Sequence, residues 1–150
     1  MIYTTYLSKL KNIPDNAIKV CISRHVNKEV LEKYNCIHAL SLAPSSWLLS
    51  KYKLHGNFDK FEKDFRKEKS KATKKEHEET TKILNLCRTN DVYFICYELD
   101  HTKCHRSIVA SQISNKLNIP WEEAKLWSII LSTIKINSFY LKWRAIVTLC

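Results

Sequence analysis

The stretch "DVYFICYELDHTKCHRSIVASQI", Asp91 to Ile113, decides the fold. Val92 to Cys96 is a short apolar run rich in β-branched and aromatic residues, which predicts a strand. A polar loop follows, and from about Lys103 the spacing becomes helical, with Val109, Ala110, Ile113 and Leu117 on one buried stripe. The start of this helix is unusual. The macrodipole leaves partial positive charge there, yet Lys103, His105 and Arg106 are basic, so a negative group is required nearby.

Outward from this segment, "IYTTY" (Ile2 to Tyr6) reads as a first strand and "AIKVCIS" (Ala17 to Ser23) as a second, more buried one. "NKEVLEKY" reads as a short helix. "CIHALSL" reads as a third strand, stopped by Pro44, after which Ser45 or Ser46 caps a helix through Trp47, Leu48 and Leu49. Phe58, Phe61 and Phe65 fall at i, i+3 and i+7, an amphipathic helix whose aromatics belong to the core rather than to base stacking. A further helix over 75–87 leads into the Val92 strand. Strands alternating with helices imply an α/β layer architecture with a mostly parallel sheet.

A chain of 150 residues with 45% hydrophobic content is one domain with a real core. One glycine and three prolines exclude a flexible linker or a collagen-like segment. The start lacks the basic region and cleavage site of a signal peptide, so a cytoplasmic protein with reduced thiols is expected, its six cysteines being irregularly spaced. Cys21, Cys36 and Cys96 read as core filler. The net charge of +10 favours phosphate-bearing partners, a nucleotide or nucleic acid. It is concentrated between Lys51 and Lys75, where ten basic residues face four acidic ones. After residue 125 the apolar tail is interrupted by Lys135, Lys142 and Arg144, which excludes stable membrane insertion. A terminal helix or hairpin packed on the domain, or on a second copy as a homodimer, is the default for 121–150.

In parallel sheets ligands collect beyond the carboxyl ends of the strands. Arg24 and His25 follow the second strand, Tyr97 and Glu98 follow the strand ending at Cys96, and Cys104, His105 and Arg106 open the next helix; Ser45 is a further pocket candidate. Backbone N–H groups at a helix start together with arginine forks suit a phosphate, held by Arg24 and Arg106, and the same field lowers the pKa of the Cys104 thiol. Glu98, Cys104 and His105 form the candidate catalytic set, for nucleophilic or acid–base work, glycosidic bonds included. The competing structural reading is an internal ion pair from Glu98 or Asp100. Zinc on Cys96, His101, Cys104 and His105 is disfavoured, because adjacent Cys104 and His105 should diverge, so no metal is expected. The Cys-His-Arg spacing departs from the phosphatase loop, whose cysteine and arginine stand five residues apart. With a single glycine, Gly56, no dinucleotide loop exists, so no cofactor is expected.

The apolar strand ending in Cys-x-Glu (Cys96, Glu98), the loop, and Cys-His-Arg opening a helix (Cys104, His105, Arg106) resemble the family called domain of unknown function 488. "MIYTTYLSKLKNIPDN", "CISR" and "LAPSSWLLSKYK" resemble other parts of one branch, and the likeness spans about 1–118. It implies a Rossmann-like three-layer α/β domain over 1–120, with its polar groups at one sheet edge and 121–150 as an extension outside it. It also implies a bacterial origin, with a phage or other mobile element as source. It implies no particular reaction. The chain departs from the family pattern after Arg24, where "HVNKEV" stands in place of a small residue and proline. The function these readings support is a hydrolase or transferase acting on a nucleotide or nucleic acid, the alternative being a module that binds such a ligand without chemistry.

Overall fold

The computed structural model describes residues 1–125. Its centre is β4, Val92–Cys96, in which every residue is buried. The strand is apolar throughout because it has neighbours on both edges and layers on both faces. The sheet has five strands in the order β3-β2-β4-β1-β5, and every pair is parallel. β1 is Ile2–Tyr6, β2 Ile18–Cys21, β3 Ile37–His38 and β5 Trp121–Glu123.

Alternation along the strands sorts the core into two layers. Val92, Phe94 and Cys96 pack with Ile2, Val20, Phe65, Ile83 and Val109 on a thick face. Tyr93 and Ile95 pack with Leu10, Ile13 and Ala17 on a thinner one. The thick face carries α2 (Ser46–His55), α3 (Phe58–Lys69), α4 (Lys74–Thr89) and α5 (His105–Leu117). The thin face carries a 3-10 turn, Leu7–Asn12, and α1 (Lys28–Lys33). This is the three-layer α/β arrangement expected, with a wholly parallel sheet. The chain leaves β1 and β2 toward the thin face and β4 toward the thick one, so the connections part at the carboxyl end of β4 and open a crevice there.

Local chemistry sets the helices over that crevice. Ser45 caps α2 by accepting from the Leu48 N–H at 3.2 Å. Gly56 ends α2 at φ +65°, a left-handed conformation that glycine adopts without a Cβ clash. Asn57 then caps α3 by accepting from the Lys60 N–H. The hairpin closes on a tilted ring contact, Tyr52 to Phe61 at 4.7 Å between centroids, while Phe61 and Phe65 enter the core as their spacing predicts. Thr73 and Glu76 form a reciprocal capping box at the start of α4.

Two local expectations change. The third strand shrinks from the apolar run 36–42 to Ile37–His38, because the chain turns into a 3-10 helix at Leu40–Leu42 on the sheet edge. Lys103 lies in a 3-10 turn, His101–Lys103, and the last helix begins at His105. The sheet also runs past residue 120: Trp121 and Glu123 pair with Ile2 and Thr4 of β1. The remainder of the apolar tail, 126–150, and the dimer contact expected of it lie outside the described residues. No helix among the described residues is long and apolar enough to cross a membrane.

Arg106, with no exposed surface, ties this edge together. Its Nε and Nη2 donate to the two Glu123 oxygens at 3.3 and 3.1 Å, Nη2 also reaches the Leu99 carbonyl at 2.9 Å, and Nη1 donates to the Glu98 carbonyl. Thr4 Oγ1 donates to the same carboxylate. One side chain thus joins the first turn of α5, the loop after β4 and the edge strand β5. Arg106→Met is expected to lower the unfolding free energy by about 3–5 kcal/mol, because it strands Glu123 and two carbonyls, and Glu123→Gln by about 1–3 kcal/mol. Chemical denaturation measures both.

Candidate active site at the carboxyl edge of the sheet

Cys104 is the N-cap of α5, in extended conformation (φ −129°, ψ 139°), and His105 is the first helical residue. The 100° offset between helical neighbours therefore does not apply, and the two side chains converge instead of diverging. Cys96, the last residue of β4, meets them from the sheet. Its Sγ lies 3.7 Å from His105 Nδ1 and 3.8 Å from Nε2, while Cys104 Sγ lies 4.0 Å from Nδ1. All three side chains are buried, and their donor atoms lie within 4.8 Å of one another, a set able to hold a metal ion. His101 does not join them, since its Nδ1 stands 3.4 Å from Ser107 Oγ. The Ile22 carbonyl, which can only accept, takes the His105 Nε2 proton at 2.9 Å. Nδ1 is left without a backbone partner; Cys104 Sγ approaches it, and Cys96 Sγ stands almost equally far from both ring nitrogens. The Phe65 ring, 5.7 Å from the imidazole, walls the group from the core side.

The two thiols titrate as a pair. A hydrogen bond from Cys104, joined by His105, holds Cys96 well below the usual thiol range despite its burial. The bond to Cys96, burial and repulsion push Cys104 well above it, against the pull of the Arg106 backbone N–H. One proton is shared by two sulfurs. The approach of both sulfurs to one imidazole moves Cys96 from core filler into the site. Burial, the largest cause in each case, pushes Cys36 and Cys87 up to about 11 and raises Cys21, so these three behave as structural thiols.

Above this floor lie two adjoining cavities that share Leu49, Lys53, Glu98 and His105. The larger, about 340 Å³, is lined also by Tyr52, Lys103 and Cys104. The smaller, about 190 Å³, is lined by Ser23, Arg24, His25, Cys96 and Tyr97. Glu98 and Tyr97 are exposed at the mouth, as are His25, Lys53 and Lys103. Arg24 is half-buried and also structural, since its Nε and Nη2 donate to the Pro44 and Ala43 carbonyls at 2.7 and 3.1 Å.

Two expectations are corrected. Arg106 is no phosphate fork: its guanidinium sits in the core on Glu123 and the carbonyls of Glu98 and Leu99. The negative group required near the helix start is therefore Glu123, from β5, and neither Glu98 nor Asp100 through its carboxylate. Ser45 lines neither cavity, because its hydroxyl caps α2 and its N–H donates to Glu68 at 2.9 Å. Sequence reasoning missed Lys53, Lys103 and Ser23. The four-residue step from Leu49 to Lys53 along α2 was the available signal for the first. Ser23 Oγ is buried with no hydrogen-bond partner among the described residues, and nothing in the local sequence marks it.

In chelator-treated protein, the ultraviolet thiolate absorbance of the pair is expected to persist well below the ordinary thiol pKa of about 8.5. A lowered group stays ionised as the pH falls, whereas Cys21, Cys36, Cys87 and Cys104 hold their protons until alkaline pH. Cys96→Ser should abolish the acid-stable signal.

No curated protein and no solved structure matched the chain. A family model described as the active DUF488-N3 subclade matches residues 2–117. That span contains four of the five strands and the whole Cys96–Cys104–His105 floor. By this match over the greater part of its length, the chain belongs to the DUF488 family, in the subclade described as active DUF488-N3.

Proposed function

We propose that the chain is an enzyme, a hydrolase or transferase acting on a nucleotide or nucleic acid at the carboxyl edge of its sheet. The observation that carries this reading is the convergence of Cys96, Cys104 and His105 beneath a cavity rimmed by cations. The larger cavity falls within the roughly 300–1,000 Å³ typical of small-molecule sites. Arg24, His25, Lys53 and Lys103 stand around its mouth and that of its neighbour, and they take over the phosphate-holding role that Arg106 does not fill. Glu98, the carboxylate common to both cavities, is placed for proton transfer at the entrance. A purely structural ion-pair network needs neither two thiols and an imidazole nor an open cavity above them.

The rim by itself, with the net charge of +10, favours the second reading, a module that binds such a ligand without chemistry. The two readings separate experimentally. Incubation with nucleotide and oligonucleotide panels, with products followed by mass spectrometry, is expected to show turnover that falls at least about 100-fold in Cys104→Ser and Glu98→Gln while affinity is kept. Lys53→Ala with Lys103→Ala should weaken binding and flatten the slope of log affinity against log salt by about 1.4 for a single strand. Binding without turnover by the wild type leaves the module reading; a salt slope near zero dismisses nucleic acid as the ligand.

A further inference from the structure

We propose that Cys96, Cys104 and His105 are the three protein ligands of a zinc ion whose fourth position opens into the cavity. Tetrahedral zinc with Zn–S near 2.3 Å and Zn–N near 2.05 Å sets its S and N ligand atoms about 3.6 Å apart. The two sulfurs lie 3.7 and 4.0 Å from His105 Nδ1, and all three atoms fall within 4.8 Å of one another. Because Cys96 Sγ is nearly equidistant from Nδ1 and Nε2, at 3.7 and 3.8 Å, the imidazole must also turn to direct the Nδ1 lone pair at an ion between the sulfurs.

The surroundings are those of a metal ligand set. A zinc-bound histidine usually donates its other ring N–H to a carbonyl or carboxylate, which fixes the ring; here Nε2 donates to the Ile22 carbonyl at 2.9 Å, leaving Nδ1 for the metal. The ligands come from rigid positions, the end of the central strand and the start of α5, so their separation is set by the sheet. Two thiolates and a neutral imidazole balance a dication, and they select zinc over magnesium or calcium, which take oxygen. Binding releases the protons remaining on the sulfurs to solvent.

Three protein ligands, not four, mark a site that keeps a position for water or substrate. Of the other donors nearby, His101 is turned to Ser107, and Glu98, Asp100 and His25 line the cavities without joining the three ligand atoms that lie within 4.8 Å of one another. Cys104 and His105 line the larger cavity, Cys96 and His105 the smaller, so the open position faces the substrate space. Ser23, with a buried hydroxyl, lies on the wall of the smaller cavity together with Cys96. A water on such an ion loses its proton near pH 7 and supplies a nucleophile for hydrolysis. This deepens, and for its chemistry rests on, the reading of the cavity as an active site.

The test is metal analysis of the full chain purified from cells grown with zinc, followed by titration of metal-free protein with zinc against a chromogenic chelator. One zinc per chain is expected. Cys104→Ser and His105→Gln should each lose more affinity than the roughly 10–100-fold that removal of an outer-shell partner costs. Cys36→Ser, on the thin face, should bind as the wild type does. Should the ligand variants fail to fold, cobalt-substituted wild type decides: intense tetrahedral bands with sulfur-to-metal charge transfer support the site, and weak octahedral bands overturn it. Folded wild type that takes up no zinc, ligand variants that bind as tightly as the wild type, or iron or copper at full stoichiometry would each overturn the assignment. Turnover that survives complete removal of metal sinks the zinc centre and spares the enzyme; zinc bound tightly with no turnover of any nucleotide does the reverse.

Discussion

A guanidinium with no exposed surface must find acceptors for nearly all its donors, and Arg106, at the start of α5, finds them in two other pieces of chain. Its fork holds the edge strand through Glu123 and the loop after β4 through the Glu98 and Leu99 carbonyls, while its own backbone starts α5. Because removing one partner strands a buried charge, these pieces move together or not at all. The loop that carries Glu98 is thereby held at a fixed height above the sheet, and the first turn of α5 is held against it. The geometry of the floor beneath the cavity depends on this clamp.

The floor shows how one backbone residue changes chemistry. Had Cys104 been helical, its sulfur would have left the side of His105. As an extended N-cap it turns back toward the strand end, where Cys96 already points, and two sulfurs meet one imidazole nitrogen. Burying two thiols beside a histidine is costly unless their charge is shared or compensated. A shared proton does so within the protein, and a bound dication does so more completely.

The basic side chains around the mouth arise from elements remote in sequence: Arg24 and His25 after β2, Lys53 on α2, Lys103 before α5. They gather because parallel strands end at a common edge and the α2–α3 hairpin is laid over it by Tyr52, Phe61 and Phe65. The aromatic stripe of α3 thus has a role beyond filling the core: Phe65 reaches the imidazole itself.

Periodicity was enough to show, from residues alone, a buried strand at Val92–Cys96, an amphipathic helix on Phe58, Phe61 and Phe65, and a parallel α/β layering. These are short-range patterns in which each position reports its own burial. The Cys-x-Glu and Cys-His-Arg segments were equally legible as a polar group at a strand end. What each of those residues does was not legible, because it depends on partners far away in the chain: Glu123, 17 residues beyond Arg106, claims the guanidinium, and Ile22, 83 residues before His105, sets its ring. Cys96 looked like any buried strand cysteine until Cys104, turned by its cap, came within reach. Sequence by itself determined which apolar positions would be buried and most of the elements they form. Only the tertiary structure decided which polar groups are consumed in holding the edge and which face the cavity, since a charge or a thiol is satisfied by whatever lies within a few ångströms, wherever that lies in the chain.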